Sequence, residues 1–209
     1  MTWAGRHGTG FLVVLTLALA GCSRRHPASA VVAETGVASW YGHPFDDRLT
    51  ASGEKYDMEK LTAAHRTYAF GTVVRVTNQT NGKSVEVRIT DRGPFVAGRI
   101  IDLSHAAAQN ISMPSIANVR LEVTSTPRTR ALQNYGVQTG NFADPQGAAA
   151  LLERMKGDYG EAKLIYRPGD ESWRVLVGRL PGIESADSIA QQIEKQTGSA
   201  FVVLLDNEQ

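Results

Sequence analysis

The sequence predicts an export signal followed by two small folded domains, an all-β barrel and then an α+β domain. Three observations lead to this prediction. An apolar run near the N-terminus ends at Cys22, short alternating stretches fill residues 36–125, and helical periodicity begins after about residue 133. After the first 21 of the 209 residues, the chain is still long enough for two small domains or one medium one.

Residues 1–21 have the pattern of a signal peptide. Arg6 gives a cationic start, and the apolar run FLVVLTLALA is too short to span a bilayer. The run ends in Leu-Ala-Gly before Cys22, which resembles the bacterial lipobox. This resemblance implies a lipid-anchored protein that begins at Cys22, and Ser23 after it implies transfer to the outer membrane. Residues 22–35 lack periodicity and are predicted to be a tether.

Charge and cysteine content exclude some classes of protein. The net charge is +1 with no basic stripe, which argues against nucleic acid as a partner. Residues 36–125 carry ten Lys/Arg against nine Asp/Glu, and residues 133–209 carry seven against eleven, so the second domain is acidic. Cys22 is the only cysteine, so no disulfide can form within the chain.

The stretch from Ser84 to Ser104 carries the first candidate for catalysis. Val85, Val87 and Ile89 alternate with polar residues, as in a half-buried strand. Continuing this alternation places Asp91 on the apolar face, and Gly-Pro after it ends the strand. A carboxylate there is partly desolvated, which raises its pKa and suits a proton donor. A turn aspartate that pairs with a neighbouring arginine is the alternative.

Short strands and turns fill the rest of residues 36–125. Strands are predicted at 36–41, 72–77 and 119–124, with a loop over 45–58 and a hairpin turn at Asn81-Gly82. Ser104 is predicted to cap a short helix. About six strands with little helix predict a small closed barrel.

Several motifs in this domain then give a specific resemblance. GVASWYG, LTASGE, LTAAH, TNQTNGKSVEVRITDRGPF and GRIIDLSHAAA, taken in order, resemble the double-psi β-barrel of the rare lipoprotein A family of septal-ring lytic transglycosylases. The resemblance implies endolytic cleavage of peptidoglycan glycan strands that lack stem peptides, at the division septum. The same barrel occurs in expansins and endoglucanases, so the fold alone does not give the activity.

The resemblance also implies roles for individual residues. The family's catalytic acidic pair falls on Glu54 and Asp91, and its active-site histidine falls on His65. Glycosidic cleavage needs an acid at the bridging oxygen and stabilisation of positive charge on the sugar. We expect Asp91 to be the acid and Glu54 to stabilise charge, although the two roles could be exchanged. His65 would orient a carboxylate or the substrate, or be a structural histidine.

Other residues of the first domain are candidates for binding a ligand. Trp40 and Tyr41 could stack on sugar rings or belong to the core. Asp46-Asp47 replaces the family's usual His-Gly, and its charge would raise nearby carboxylate pKa values. Asp102 is predicted to be structural. No cysteine or carboxylate stands at a spacing typical of metal ligands from His43 or His105, so no metal or other cofactor is expected.

The second domain, residues 133–209, follows a linker at 126–132. Strands at 134–142, 162–166, 173–180 and 201–205 alternate with two helices, which begin near Asp144-Pro145 and Ser185. The order βαββαβ predicts a ferredoxin-like half-sandwich.

This order, with YGVQTGNF and WRVLVGRL, resembles the SPOR domain. That resemblance implies binding of denuded septal glycan on an open sheet face. Gln138 and Asn141 would hydrogen-bond to sugar hydroxyls, and Trp173 and Phe201 would offer ring faces or lie in the core.

The sequence therefore predicts a lytic transglycosylase anchored through Cys22 to the periplasmic face of the outer membrane. Two alternatives remain. One is an expansin-like peptidoglycan-binding lipoprotein without catalysis, and the other is a hydrolase, which would need a carboxylate spaced to activate water.

Overall fold

The computed structural model describes residues 1–2, 33–127, 133–167 and 169–205. The predicted signal peptide, the anchor Cys22, and most of the tether and linker lie outside the described residues. Within the described ranges, no helix is both long and apolar enough to cross a membrane.

Six strands of the first domain close into a barrel, which confirms the all-β prediction. The order around the barrel is β1-β5-β2-β4-β3-β6, with β1 parallel to β5 and β2 parallel to β4. One short helix, α1 (His105–Asn110), follows β5, and the Ser104 hydroxyl accepts a hydrogen bond from Ala107 N, as predicted for its cap. The strands are β1 (Ala33–Tyr41), β2 (Thr62–Ala64), β3 (Val73–Asn78), β4 (Ser84–Asp91), β5 (Arg99–Ser104) and β6 (Ile116–Ser125).

Alternation along the strands builds the barrel core. On β4, Val85, Val87 and Ile89 are buried while Glu86 is exposed. They pack with the buried aliphatic residues of β3, β5 and β6, so side chains fill the interior, as is usual for a small barrel. The barrel is thus a filled scaffold, and ligands must bind at its ends or its outside.

A bulge in β4 sets the direction of Asp91. Ala63 of β2 pairs with Ile89, but Ala64 pairs with Asp91, so β4 gains one residue between them. Both Ile89 and Thr90 are buried, and Asp91 is half-buried. Simple alternation therefore does not reach Asp91; the extra residue re-aims the strand end, as bulges commonly do beside functional sites.

The second domain has the predicted βαββαβ order. Its four-stranded antiparallel sheet has the order β10-β7-β9-β8. Asp144 caps the first helix by accepting from Gly147 N, and Gly198 ends the second helix in a left-handed conformation. The elements are β7 (Asn134–Phe142), α2 (Pro145–Tyr159), β8 (Ala162–Arg167), β9 (Ser172–Leu180), α3 (Ile183–Thr197) and β10 (Ala200–Leu205).

The sheet of the second domain contacts the barrel directly. At the edge strand β10, Leu204 N donates to Arg66 O at 3.0 Å, and Arg92 Nε donates to Leu204 O at 3.3 Å. The Phe201 ring meets Phe95 of the barrel edge to face, at 5.8 Å between centroids. The sheet face that was predicted to be open is therefore partly covered, because an unpaired strand edge and exposed aromatic rings find partners on the barrel.

Candidate active site

A cleft of about 330 Å³ lies at the end of β4, beside Asp91. Barrel residues form one part of its wall, and the turn between β8 and β9 of the second domain forms another. The polar and aromatic lining includes Tyr41, Arg48, Asp91, Phe95, Arg99 and Asp102 from the barrel, and Asn141, Arg167, Asp170 and Arg174 from the second domain.

Asp91 is held by two backbone groups. Its Oδ1 accepts from Ala51 N and from Arg92 N, each at 2.8 Å. Burial raises the pKa of the Asp91 carboxyl, and these two hydrogen bonds and the charges of Arg167 and Arg92 act against that rise. The described residues supply no hydrogen bond to Oδ2. The result is a carboxyl group fixed through one oxygen, with the other oxygen available to carry a proton into the cleft.

Asp102 lies in the same cleft, two strands away. Ala64 of β2 pairs with Asp91 on one side and with Asp102 on the other. Two strand spacings put the two Cα atoms roughly 9–10 Å apart. Ser39 Oγ donates to Asp102 Oδ1, and Arg99 Nη2 lies 3.6 Å from Oδ2.

Asp102 was predicted to be structural, and these contacts do fix its position. It is also the second acidic side chain that the barrel contributes to the cleft, which the sequence did not indicate. Burial raises the pKa of Asp102, against the Ser39 hydrogen bond and the charges of Arg99 and Arg66.

Aromatic rings form one side of the cleft. Tyr41 stacks on Tyr56 at 4.3 Å between centroids and meets Phe45 edge to face at 6.1 Å. The Tyr41 hydroxyl is buried without a hydrogen-bond partner among the described residues, and burial raises its pKa well above the usual value. Trp40 points elsewhere: its indole nitrogen donates to Pro114 O at 2.9 Å, and its ring packs on His105. Only Tyr41 of the predicted pair therefore lines this cleft.

Glu54 does not line the cleft. Its two carboxylate oxygens accept from Arg88 at 2.7 and 2.8 Å on the outside of the barrel. These hydrogen bonds lower the pKa of Glu54, which reverses the rise expected from Asp46-Asp47. The expectation is wrong because the Arg88 hydrogen bonds are the largest influence on Glu54, and neither Asp46 nor Asp47 is among the charges that act on it. Glu54 is connected to Asp91 through the loop at residues 50–54, whose Ala51 N donates to Asp91, and through Arg88, which lies on the same strand as Asp91.

His65 is a buried structural centre. Its Nδ1 accepts from the backbone nitrogens of Thr67 and Tyr68 at 3.2 and 3.1 Å, so the ring proton lies on Nε2, which donates to Glu34 at 3.1 Å. Burial lowers the pKa of His65, against the Glu34 contact. Its backbone nitrogen donates to Asp91 O at 3.1 Å. The backbone of His65 thus holds the strand end that carries Asp91, while its side chain is not among the residues that line the cleft.

The candidate sugar-binding residues of the second domain fall in different places. Asn141 lines the cleft, whereas Gln138 is only 1% exposed and its amide oxygen accepts from Arg167. Trp173 packs against Tyr166 at 5.2 Å on the β8–β9 surface. Phe201 packs on the barrel. Gln138 and Phe201 are therefore not on an open face, because the barrel covers that part of the sheet.

Sequence reasoning missed the arginines of the cleft. Arg167 and Arg174 come from the second domain but line the Asp91 cleft, and burial lowers the pKa of Arg167 to about 10, against the charge of Asp91. In the sequence both stand beside strand residues like ordinary surface cations. The only available signal was their position on either side of the Pro-Gly-Asp turn.

Comparison with known proteins follows this division. Residues 33–123 match the family model DPBB_1, described as "Lytic transglycolase", and residues 131–204 match the SPOR domain. The Vibrio cholerae protein named "Endolytic peptidoglycan transglycosylase RlpA" is 38% identical, over 81% of this chain and 68% of that protein. The "Probable endolytic peptidoglycan transglycosylase RlpA" of Treponema pallidum is 49% identical, over 83% and 68%.

A double-psi barrel joined to a SPOR domain defines a cell-envelope protein of the peptidoglycan lytic transglycosylase class. Within that class, the chain belongs to the RlpA family. Among solved structures, a Clavibacter michiganensis expansin is 13% identical over 84% of this chain and 92% of its own, with a TM-score of 0.38, a similarity too low to bear on function.

Proposed function

We propose that this chain cleaves peptidoglycan glycan strands without water, leaving 1,6-anhydro ends, with Asp91 as general acid and then base. The observation that carries the proposal is the Asp91 carboxyl, fixed through Oδ1 and partly desolvated in a cleft large enough for a sugar. A general acid needs that position and a raised pKa.

The reaction proceeds in two proton transfers. Asp91 donates its proton to the glycosidic oxygen, and the bond from that oxygen to C1 of the muramic acid breaks. The 6-hydroxyl of the same sugar then attacks C1, and the Asp91 carboxylate takes the hydroxyl proton. Because Asp91 gives one proton and takes one back, it ends in its starting form. No water is added, so the reaction is the elimination-type cleavage of a lyase.

Other residues support this chemistry. The Asp102 carboxylate, across Ala64, stabilises positive charge that develops on the sugar ring. Tyr41 supplies a ring face to the cleft. His65 acts as a positioning residue through its backbone contact with Asp91. Glu54 acts either on the substrate from outside the cleft or through the loop that presents Ala51 N.

Two parts of the chain, a lipid anchor and the SPOR domain, direct the protein to the cell wall. Cys22 anchors it to the outer membrane by a lipid, and the SPOR domain binds denuded glycan at the septum. The SPOR family match supports the second part, and the lipobox supports the first. The Tyr166–Trp173 pair, with Tyr166 46% exposed, offers an aromatic surface of the second domain to sugar rings.

The test is digestion of peptide-free peptidoglycan followed by mass spectrometry of the soluble products. We expect fragments with 1,6-anhydro ends. Reducing ends would instead show a hydrolase, and binding without any soluble product would show an expansin-like adhesion protein.

A further inference from the structure

The second domain brings fixed positive charge into the catalytic cleft. Arg167 ends β8 and Arg174 lies within β9, and both line the cleft that contains Asp91. The turn between them is fastened to the barrel, because Arg48 Nη1 donates to Gly169 O at 3.2 Å and lies 3.3 Å from Glu171. The cleft therefore has one wall from each domain.

Both guanidinium groups are held in place by other contacts. Arg167 donates from Nε and Nη2 to the buried Gln138 at 2.9 and 2.6 Å. Arg174 donates to Gly140 O at 3.2 Å and to Asp170. Both guanidinium carbons also lie over the Phe95 ring, at 5.6 and 5.4 Å from its centroid. Such groups are oriented before any ligand arrives, which lowers the entropy cost of binding.

The lining of the cleft carries more positive than negative side chains. Arg174 is only 7% exposed, so its guanidinium group is largely desolvated. The charged lining consists of five arginines and three aspartates: Arg48, Arg92, Arg99, Arg167, Arg174, Asp91, Asp102 and Asp170.

We propose that Arg167 and Arg174 are specificity-determining residues that bind the lactyl carboxylate of muramic acid from which the stem peptide has been removed. The inference rests on the proposed function. In peptide-bearing strands this group is an amide and carries no charge. Removal of the peptide leaves a carboxylate, which suits arginine donors in a partly desolvated cleft. The cleft thus recognises strands without peptides through their free carboxylate, which lies beside the scissile bond.

The test compares two forms of one substrate. Peptide-free glycan is used with free lactyl carboxylates, or after conversion of those carboxylates to methylamides. We expect methylamidation to lower kcat/KM of the wild type by about 10-fold or more, since a charge-assisted hydrogen bond contributes about 1.5–3 kcal/mol. Arg174→Gln and Arg167→Gln should lower kcat/KM on the free carboxylate by a similar factor and should not discriminate between the two substrates.

Controls separate this effect from loss of structure. Arg154→Gln, on the exposed side of α2, should keep the full preference for the carboxylate form. Arg174→Lys keeps the charge and should retain part of the preference. Urea unfolding of each variant shows whether the domains remain folded, and if Arg167→Gln unfolds, Arg174→Gln decides the question.

Each outcome decides something. If both arginine variants keep the wild-type preference, the proposal is overturned. If the wild type releases no anhydro products from either glycan, the proposed function fails, and equilibrium binding of the same glycans then tests the anion site by itself. Equal affinity of the wild type for the two forms would overturn the proposal, while a preference that Arg174→Gln removes would support it.

Discussion

Replacing Asp91 by asparagine removes the ionisable proton of the carboxyl group and leaves the surrounding hydrogen bonds in place. The amide oxygen of Asp91→Asn can still accept from Ala51 N and Arg92 N, which now hold Oδ1 at 2.8 Å. The side chain keeps its size, so no cavity forms. The variant therefore tests proton transfer apart from folding.

The expected loss follows from the role of the group. A positioned general acid contributes about 10²–10⁴-fold, or roughly 3–5.5 kcal/mol of activation free energy. We expect kcat for release of anhydro fragments to fall by that factor, while binding to peptide-free sacculi stays within about twofold. The control Asp158→Asn, on the exposed side of α2, should keep full activity.

The pH dependence gives a second readout. Burial raises the pKa of Asp91 in the folded protein. The group therefore favours the folded state below its unfolded pKa, and this contribution is lost as pH rises through the folded pKa. Wild-type activity should also fall on the alkaline side of that raised pKa, where the acid is ionised. In Asp91→Asn the residual rate should lack this alkaline limb, and its urea midpoint at pH 8 should not lie below that of the wild type.

The reasoning would be refuted by an Asp91→Asn variant that releases anhydro fragments at the wild-type rate. A variant that loses binding and activity together, with a lower urea midpoint, would show instead that Asp91 maintains the structure.

Three further perturbations separate the remaining roles. Asp102→Asn should lower kcat by roughly 10–100-fold with little change in KM, because it removes charge stabilisation in the transition state; an unchanged kcat would leave Asp102 structural. His65→Phe should lower the free energy of unfolding by about 2–3 kcal/mol in urea titrations, since buried backbone donors lose their acceptor, and unchanged stability would contradict its assigned role. Glu54→Gln should change stability by less than about 0.5 kcal/mol, because its pair with Arg88 is exposed. If Glu54 acts on the substrate, Glu54→Gln will reduce kcat/KM and Arg88→Gln will not; equal losses would show that the ion pair is what matters.

Local patterns in the sequence predicted most of the fold. Alternation around Val87, the Asn81-Gly82 turn and the caps at Ser104 and Asp144 depend on neighbouring residues, so they can be read directly from the chain. The positions of Asp91 and Tyr41 at a strand end followed from the same rules. These features predicted the barrel and the second domain, whereas the role of Asp91 was expected from the family resemblance and not from the strand pattern alone.

The features that the sequence did not predict depend on distant partners. Glu54 lies on the barrel exterior because Arg88, 34 positions away, offers two hydrogen bonds. The bulge before Asp91 depends on pairing with β2, which alternation within β4 cannot reveal. Periodicity showed that Gln138 belongs to a sheet, but it could not show that the barrel would cover that face.

The hydrogen bonds between Leu204 and the barrel fix the distance between the second domain and the cleft that contains Asp91. If a long flexible linker joined the glycan-binding domain to the barrel, cleavage would occur at variable distances from the bound sugar. Here a glycan chain that lies in the cleft contacts both domains at once. The distance between the cleavage site and the sugar bound by the second domain should therefore vary little. The size distribution of the released fragments would then record the geometry of the domain contact.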